Sequence, residues 1–132
     1  MAKFVFVSSD GGGNVAVALG IGAALLNRGH SVTVLGPTSL RSSIQSVGLR
    51  HRELGPPPPL EPASRSQYLV EVVGSTAMRE DLCQLVEQLD PDGLVIDCNL
   101  AWALGLPGSV PTAVLVHTAL GLYLPVWQQS DW

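Results

Sequence analysis

The sequence predicts an α/β fold: a parallel sheet with helices on both faces, in a single domain spanning residues 1–132. Three observations predict it. Short apolar runs, Phe4-Val5-Phe6-Val7, Val32-Thr33-Val34-Leu35, Leu94-Val95-Ile96 and Thr112–Val116, recur along the chain. Segments of helical spacing and turn residues separate them. The runs are continuous rather than alternating, which marks strands buried on both faces, as in parallel sheets.

Lys3–Ser8 reads as the first strand from its Phe and Val content. The turn Ser8-Ser9-Asp10-Gly11-Gly12-Gly13 then leads into a helix that begins near Asn14 and closes at Arg28-Gly29. Asn14 suits the N-cap of that helix and Gly29 its left-handed C-terminal residue. Gly20, Gly22, Ala18, Ala23 and Ala24 make the helix thin, fit to lie close on a sheet. Ser31–Leu35 is the second strand. Gly36-Pro37 breaks the chain, and Ser39–Val47 forms a second helix closed by Gly48.

Leu49–Leu54 is short and polar, which places it at the sheet edge. Gly55 and four prolines follow, and they favour an extended surface loop. One or two helices cover Arg65–Leu89, with Leu82, Val86 and Leu89 on one face. Asp92–Asp97 and Thr112–Val116 are the fourth and fifth strands. This order implies a Rossmann-like sheet with right-handed crossovers.

Ligands of such sheets bind beyond the carboxyl ends of the strands, where the strand order reverses. That rule selects Ser8–Asn14, Asp97–Asn99 and His117-Thr118, which follow strands one, four and five and should converge. Each residue also has a plain structural reading. Asn14 is a good cap, Asp97 a good turn former, His117 suits a satisfied core position, and Asp10 is a turn residue with a minor claim to be a base.

Composition excludes several classes. The net charge is −4 with only 14% charged residues, and the basic residues form no patch, so nucleic acid is not the partner. Residues 15–26 are apolar or glycine, but a run of about 12 is too short for a bilayer, which needs ~20. The chain opens on a strand rather than a signal peptide. Cys83 and Cys98 lack metal-ligand spacing and read as reduced thiols of a cytoplasmic protein; no metal site is expected.

The glycine turn admits two readings. Gly11-Gly12-Gly13-Asn14-Val15-Ala16 fits G-x-G-x-x-A, the dinucleotide fingerprint, in the right place between a strand and a helix. The acid that should follow the second strand to hold a ribose is missing from Leu35-Gly36-Pro37-Thr38. Arg41 would have to serve an NADP version. An NAD(P)-binding oxidoreductase domain is therefore an alternative.

The other reading is a resemblance. Gly13-Asn14-Val15 through Leu25, then Arg28-Gly29-His30-Ser31-Val32-Thr33-Val34-Leu35, resembles the N-terminal domain of GT-B glycosyltransferases of the macrolide and natural-product, UDP-glucuronosyltransferase-like family. Pro91–Asp97 and Val110–His117 agree with it in the right order. The resemblance implies a two-domain architecture. The N-terminal domain holds a small hydrophobic sugar acceptor, and a C-terminal domain or partner chain holds most of the nucleotide sugar, a substrate rather than a cofactor.

In that family a histidine in the first loop deprotonates the accepting hydroxyl, and an aspartate after strand four orients it. Alignment on Arg28-Gly29-His30 puts Asn14 at the histidine position and Asp97 at the aspartate position. Asparagine has no basic nitrogen near neutral pH. With no base at Asn14, topology makes Asp97 the nearest acid and His117, after the next strand, the reserve base. Asp97, Asn14 and His117 are the catalytic candidates, with Gly12, Gly13, Asn14 and Thr118 expected to contact substrate. His30 matches a structural histidine at the end of the first helix and is placed outside the site. A side-chain hydrogen bond between Asn14 and Asp97 is expected from their adjacent strands.

Length departs from the family. No donor domain follows, and the span Asn99–Val110 is shorter than the helix expected before strand five. Leu120–Trp127 is an uncharged apolar run, which if exposed drives self-association. A non-catalytic half that binds a separate donor-domain partner is the remaining alternative.

Overall fold

A computed structural model describes residues 1–10, 13–55, 76–105 and 110–116. The polyproline loop, the start of the Arg65–Leu89 region and the Leu120–Trp127 run lie outside the described residues.

Five strands form one parallel sheet: β1 (Lys3–Val7), β2 (Ser31–Gly36), β3 (Arg50–Glu53), β4 (Gly93–Asp97) and β5 (Thr112–Leu115). Their spatial order is β3-β2-β1-β4-β5. The order reverses between β1 and β4, so the expected Rossmann-like sheet and its switch point are both present. Val7 pairs with Leu35 on one side and Ile96 on the other, so β1 and β4 run out at the same level.

The helices are α1 (Gly13–Asn27), α2 (Arg41–Ser46) and α3 (Thr76–Leu89), with a 3-10 turn at Thr38–Leu40. Two cores follow from the two sheet faces. Phe6, Val32 and Val34 pack with Val15 and Ala18 of α1 and with Ile44 of α2. On the other face Val5, Val7, Leu94 and Ile96 pack with Met78 and Leu82 of α3 and with Leu100. The expected stripe Leu82, Val86, Leu89 does face this second core. β3, exposed at Arg50, Arg52 and Glu53, is an edge strand as its polarity requires.

Both short connections end as their glycines foretell. Gly29 has φ 84° and Gly48 φ 81°. In each case the residue after the glycine donates five positions back, His30 to Leu25 and Leu49 to Ile44, while the glycine donates three back. This paired closure satisfies two helix carbonyls and turns the chain directly into the next strand. His30 is thereby set at the amino end of the sheet. Its Nδ1 accepts the Ala2 backbone N–H at 3.2 Å and its ring meets Phe4 edge-on, with centroids 5.5 Å apart. It stands at the end of the sheet opposite the switch point.

One connection differs from a Rossmann helix. Between β4 and β5 the residues Cys98–Gly105 form 3-10 turns, broken at Leu100, instead of an α-helix. The described part of the span is short, and its tight turns bury Leu100 and Ala103 against the second core. Among the described residues, no helix is long and apolar enough to cross a membrane.

Candidate functional site

Four buried polar residues gather where β1 and β4 end and α1 begins: Ser8, Ser9, Asn14 and Asp97. Asn14 is 1% exposed and Asp97 3%. Burying such groups is unfavourable unless they hydrogen-bond, and here they bond chiefly to one another.

The Asn14 side-chain amide donates to Asp97 Oδ2, joining α1 to β4 across 83 positions of chain. The same Nδ2 donates to the backbone carbonyl of Ser9 at 2.8 Å and lies 3.4 Å from Ser9 Oγ. Both amide hydrogens are thus committed to oxygen acceptors, which fixes which way the amide faces. A flipped amide would set its carbonyl against a carboxylate. Asp97 Oδ1 in turn accepts the backbone N–H of Asn99 at 2.9 Å. This bond makes Asp97 a turn former for the Cys98–Gly105 segment as well as a member of the cluster.

Asn14 does not cap α1. The helix begins at Gly13, and Asn14 sits inside its first turn with its amide nitrogen, not its oxygen, engaged. A cap requires the side-chain oxygen to accept an N–H from the first turn; the pull of the Asp97 carboxylate on the amide decides otherwise. Asn14 Oδ1 is left buried and without a hydrogen-bond partner among the described residues. An unmet acceptor of this kind costs roughly 1–3 kcal/mol, so it marks a place that a donor should fill.

The electrostatics favour the arrangement. The first turn of α1 carries no acid of its own. Asp97, reached through Asn14, brings a negative charge to that positive helix end. Asp10, the minor candidate base, instead accepts the Ser39 hydroxyl at 2.7 Å and ties the loop after β1 to the turn after β2.

Of the residues expected at the site, Asn14 and Asp97 come together. Gly13 opens α1 beside them, with no heavy atom within 4 Å of where a Cβ would stand. Gly12, His117 and Thr118 lie outside the described residues. Ser9 and Asn99 also belong to the cluster; the switch-point rule took in both stretches but singled out neither residue, since they act largely through backbone groups. The Asp-x-Asn spacing of residues 97–99 is a further signal that suggests Asn99. Among the described residues no three His, Cys, Asp or Glu side chains are grouped to hold a metal ion.

The dinucleotide reading gains nothing from the turn after β2. Gly36 O accepts the Leu54 N–H at 2.9 Å and contacts His51 Nε2 at 3.0 Å. Arg41 pairs with Glu53 at 3.6 Å.

No family model matches the chain, and no curated protein matches it. Solved structures do. The glycotransferase of kitacinnamycin matches with TM-score 0.67 and 18% identity, over 97% of this chain and 35% of that one. A UGT transferase from Siraitia grosvenorii, solved with UDP, matches with TM-score 0.63 and 26% identity, over 88% of this chain and 28% of that one. The C-terminal domain of a Pyrococcus furiosus hydrogenase matches with TM-score 0.57 and 20% identity, over 87% and 91%. The fold is therefore shared beyond one chemistry, and function must be argued from the site. The chain has the Rossmann-like, glycosyltransferase-like fold seen in GT-B enzymes, and it spans about a third of the length of the glycosyltransferases it matches.

Proposed function

We propose that the chain is the sugar-acceptor side of a cytoplasmic glycosyltransferase that moves a sugar from a nucleotide sugar to a hydroxyl of a small hydrophobic molecule. The observation that carries this reading is the buried Asn14–Asp97 hydrogen bond at the switch point between β1 and β4. The glycosyltransferase-like fold and the motif resemblance around both residues support it.

In the reaction, the accepting hydroxyl oxygen attacks the anomeric carbon and forms the new glycosidic bond. The bond from that carbon to the diphosphate breaks, and the nucleoside diphosphate leaves with the electron pair. The hydroxyl proton passes to the Asp97 carboxylate, while Asn14 orients that carboxylate or the hydroxyl. A base is required because a neutral hydroxyl is a poor nucleophile. The donor domain comes from further polypeptide or from a partner chain.

Ligand titration tests the reading. Hydroxylated hydrophobic molecules should perturb the backbone amides of Ser9, Asn14 and Asp97 in NMR spectra, and NADP should not. Micromolar binding of NADP at this turn, with no response to hydroxylated ligands, overturns it in favour of an oxidoreductase domain.

A second reading, a non-catalytic half that activates a catalytic partner, is favoured by the absence of a basic nitrogen at Asn14. It requires that Asp97→Asn leave the activity of the complete assembly unchanged.

A further inference from the structure

We infer that the site selects an acidic O–H, a phenol or enol rather than an aliphatic alcohol, as the hydroxyl that takes the sugar. The inference rests on the proposed transfer to a hydroxyl and names its substrate class. Its ground is the hydrogen-bond inventory at the switch point. Both hydrogens of the Asn14 amide are committed, to Ser9 O and Asp97 Oδ2. What Asn14 still offers is Oδ1, a buried acceptor with no partner among the described residues. Each Asp97 oxygen already accepts a hydrogen bond, from Asn14 and from the Asn99 backbone. The described cluster therefore presents acceptors to a ligand.

Two consequences follow. An acceptor-lined site rewards the stronger hydrogen-bond donor, and a phenolic O–H is a stronger donor than an alkyl O–H. An amide oxygen also cannot hold a transferred proton, and a carboxylate is a weak base toward a hydroxyl. A phenol, with pKa about 10, yields its proton to such a base far more readily than an alkyl hydroxyl, which is a much weaker acid. The attacking oxygen must then supply by its own acidity what the described cluster lacks in basicity. The same balance holds as above: one C–O bond forms, one breaks, and the proton moves to Asp97.

The test uses the full chain and ligands of nearly constant shape: 2-naphthol, its 6-methoxy, 6-bromo and 6-cyano derivatives, decahydro-2-naphthol, and the capped 2-methoxynaphthalene. Dissociation constants come from NMR titration at a pH where all are neutral. Affinity should rise with O–H acidity, by ~10-fold or more from the decahydro alcohol to the cyano compound, and the capped ether should bind weakest. The slope should flatten in Asn14→Leu. If that variant does not fold, the near-isosteric Asp97→Asn serves the same purpose. Equal affinity of aliphatic and aromatic alcohols, or a slope unchanged in the variant, overturns the inference and leaves the hydroxyl-transfer reading standing. If no hydroxyl compound binds, the transfer reading falls and this one with it.

Discussion

Asn14 and Asp97 are partners before they are anything else, and their coupling is measurable apart from catalysis. Removing the Asn14 side chain deletes a donor to a buried carboxylate, and hydrogen bonds to charged groups contribute about 1.5–3 kcal/mol. The same change removes the unmet Oδ1, which offsets part of the loss. Asn14→Ala should therefore lower unfolding free energy by only ~1–2 kcal/mol in urea titrations. Asn14→Asp should cost more, since it sets a second carboxylate against the buried Asp97. A double-mutant cycle of Asn14→Ala with Asp97→Ala should give a coupling of at least ~0.5 kcal/mol, and additivity would mean the two side chains do not interact. Under the proposed function, in a complete two-domain enzyme at saturating donor, Asp97→Asn should lower turnover by ~100-fold or more, the usual effect of losing a general base. Asn14→Ala should lower it less. If Asp97→Asn keeps near-full turnover while His117→Ala loses it, the base is His117. The pairing was legible in the sequence because strand order alone brings the ends of β1 and β4 together. The mode of engagement of Asn14 was not. A cap and a first-turn residue differ by one position, and only the Asp97 carboxylate 83 positions away decides between them.

Among the elements, the strands were legible because both faces of the sheet are covered, which leaves a strong apolar signature in β1, β2 and β4. The segment Cys98–Gly105 was not, since 3-10 turns have no apolar period to read. Glycines test the packing of these elements directly, because three of them stand in contrasting surroundings. At Gly36, the last residue of β2, an added Cβ would lie 2.8 Å from the backbone oxygen of Ser8 and 3.3 Å from Leu40 Cδ1. Backbone cannot step aside, and Ser8 is held there by its own N–H to Leu35 O at 2.9 Å. Gly36→Ala should thus destabilise by about 1–3 kcal/mol and disturb the loop that carries Ser9. At Gly22 of α1 the obstacle is Leu49 Cδ1 at 2.7 Å, the end of a flexible side chain, with Val32 Cγ1 at 3.4 Å. The gain in helix propensity, roughly 1 kcal/mol, should nearly cancel the repacking. Gly20 is exposed with nothing within 4 Å, so Gly20→Ala should stabilise by close to ~1 kcal/mol. Thermal melts of the three variants should rank Gly20→Ala above Gly22→Ala above Gly36→Ala. Any other order means that α1 and β2 do not approach their neighbours as described.

At the scale of the whole molecule the decisive quantity is how much of the glycosyltransferase-like architecture the chain spans. The chain covers about a third of the glycosyltransferases whose fold it shares. Under the proposed function the nucleotide sugar rests mainly on a domain outside this chain. Residues 1–132 alone should therefore transfer no sugar and should bind a UDP- or dTDP-sugar no more tightly than the millimolar range, ~4 kcal/mol of binding free energy. Robust turnover by the purified chain would sink the two-domain reading. Apolar surface should report on the same division. Val17 and Ile21, one turn apart on α1, are 41% and 40% exposed. Gly20 and Ala24 lie exposed beside them, so this helix face has no charge to keep it solvated. The uncharged run Leu120–Trp127 adds a second apolar stretch. Contiguous apolar surface of this kind drives association when nothing covers it. Light scattering on the isolated chain should show dimers or larger species, and removal of residues 120–132 should reduce them. Ile21→Glu should reduce them independently, because it places a charge on the α1 face without touching either core. A monomer at high concentration in the unmodified chain would show that neither surface is an open interface. Loss of association on Ile21→Glu alone, with no effect of the truncation, would place the interface on α1.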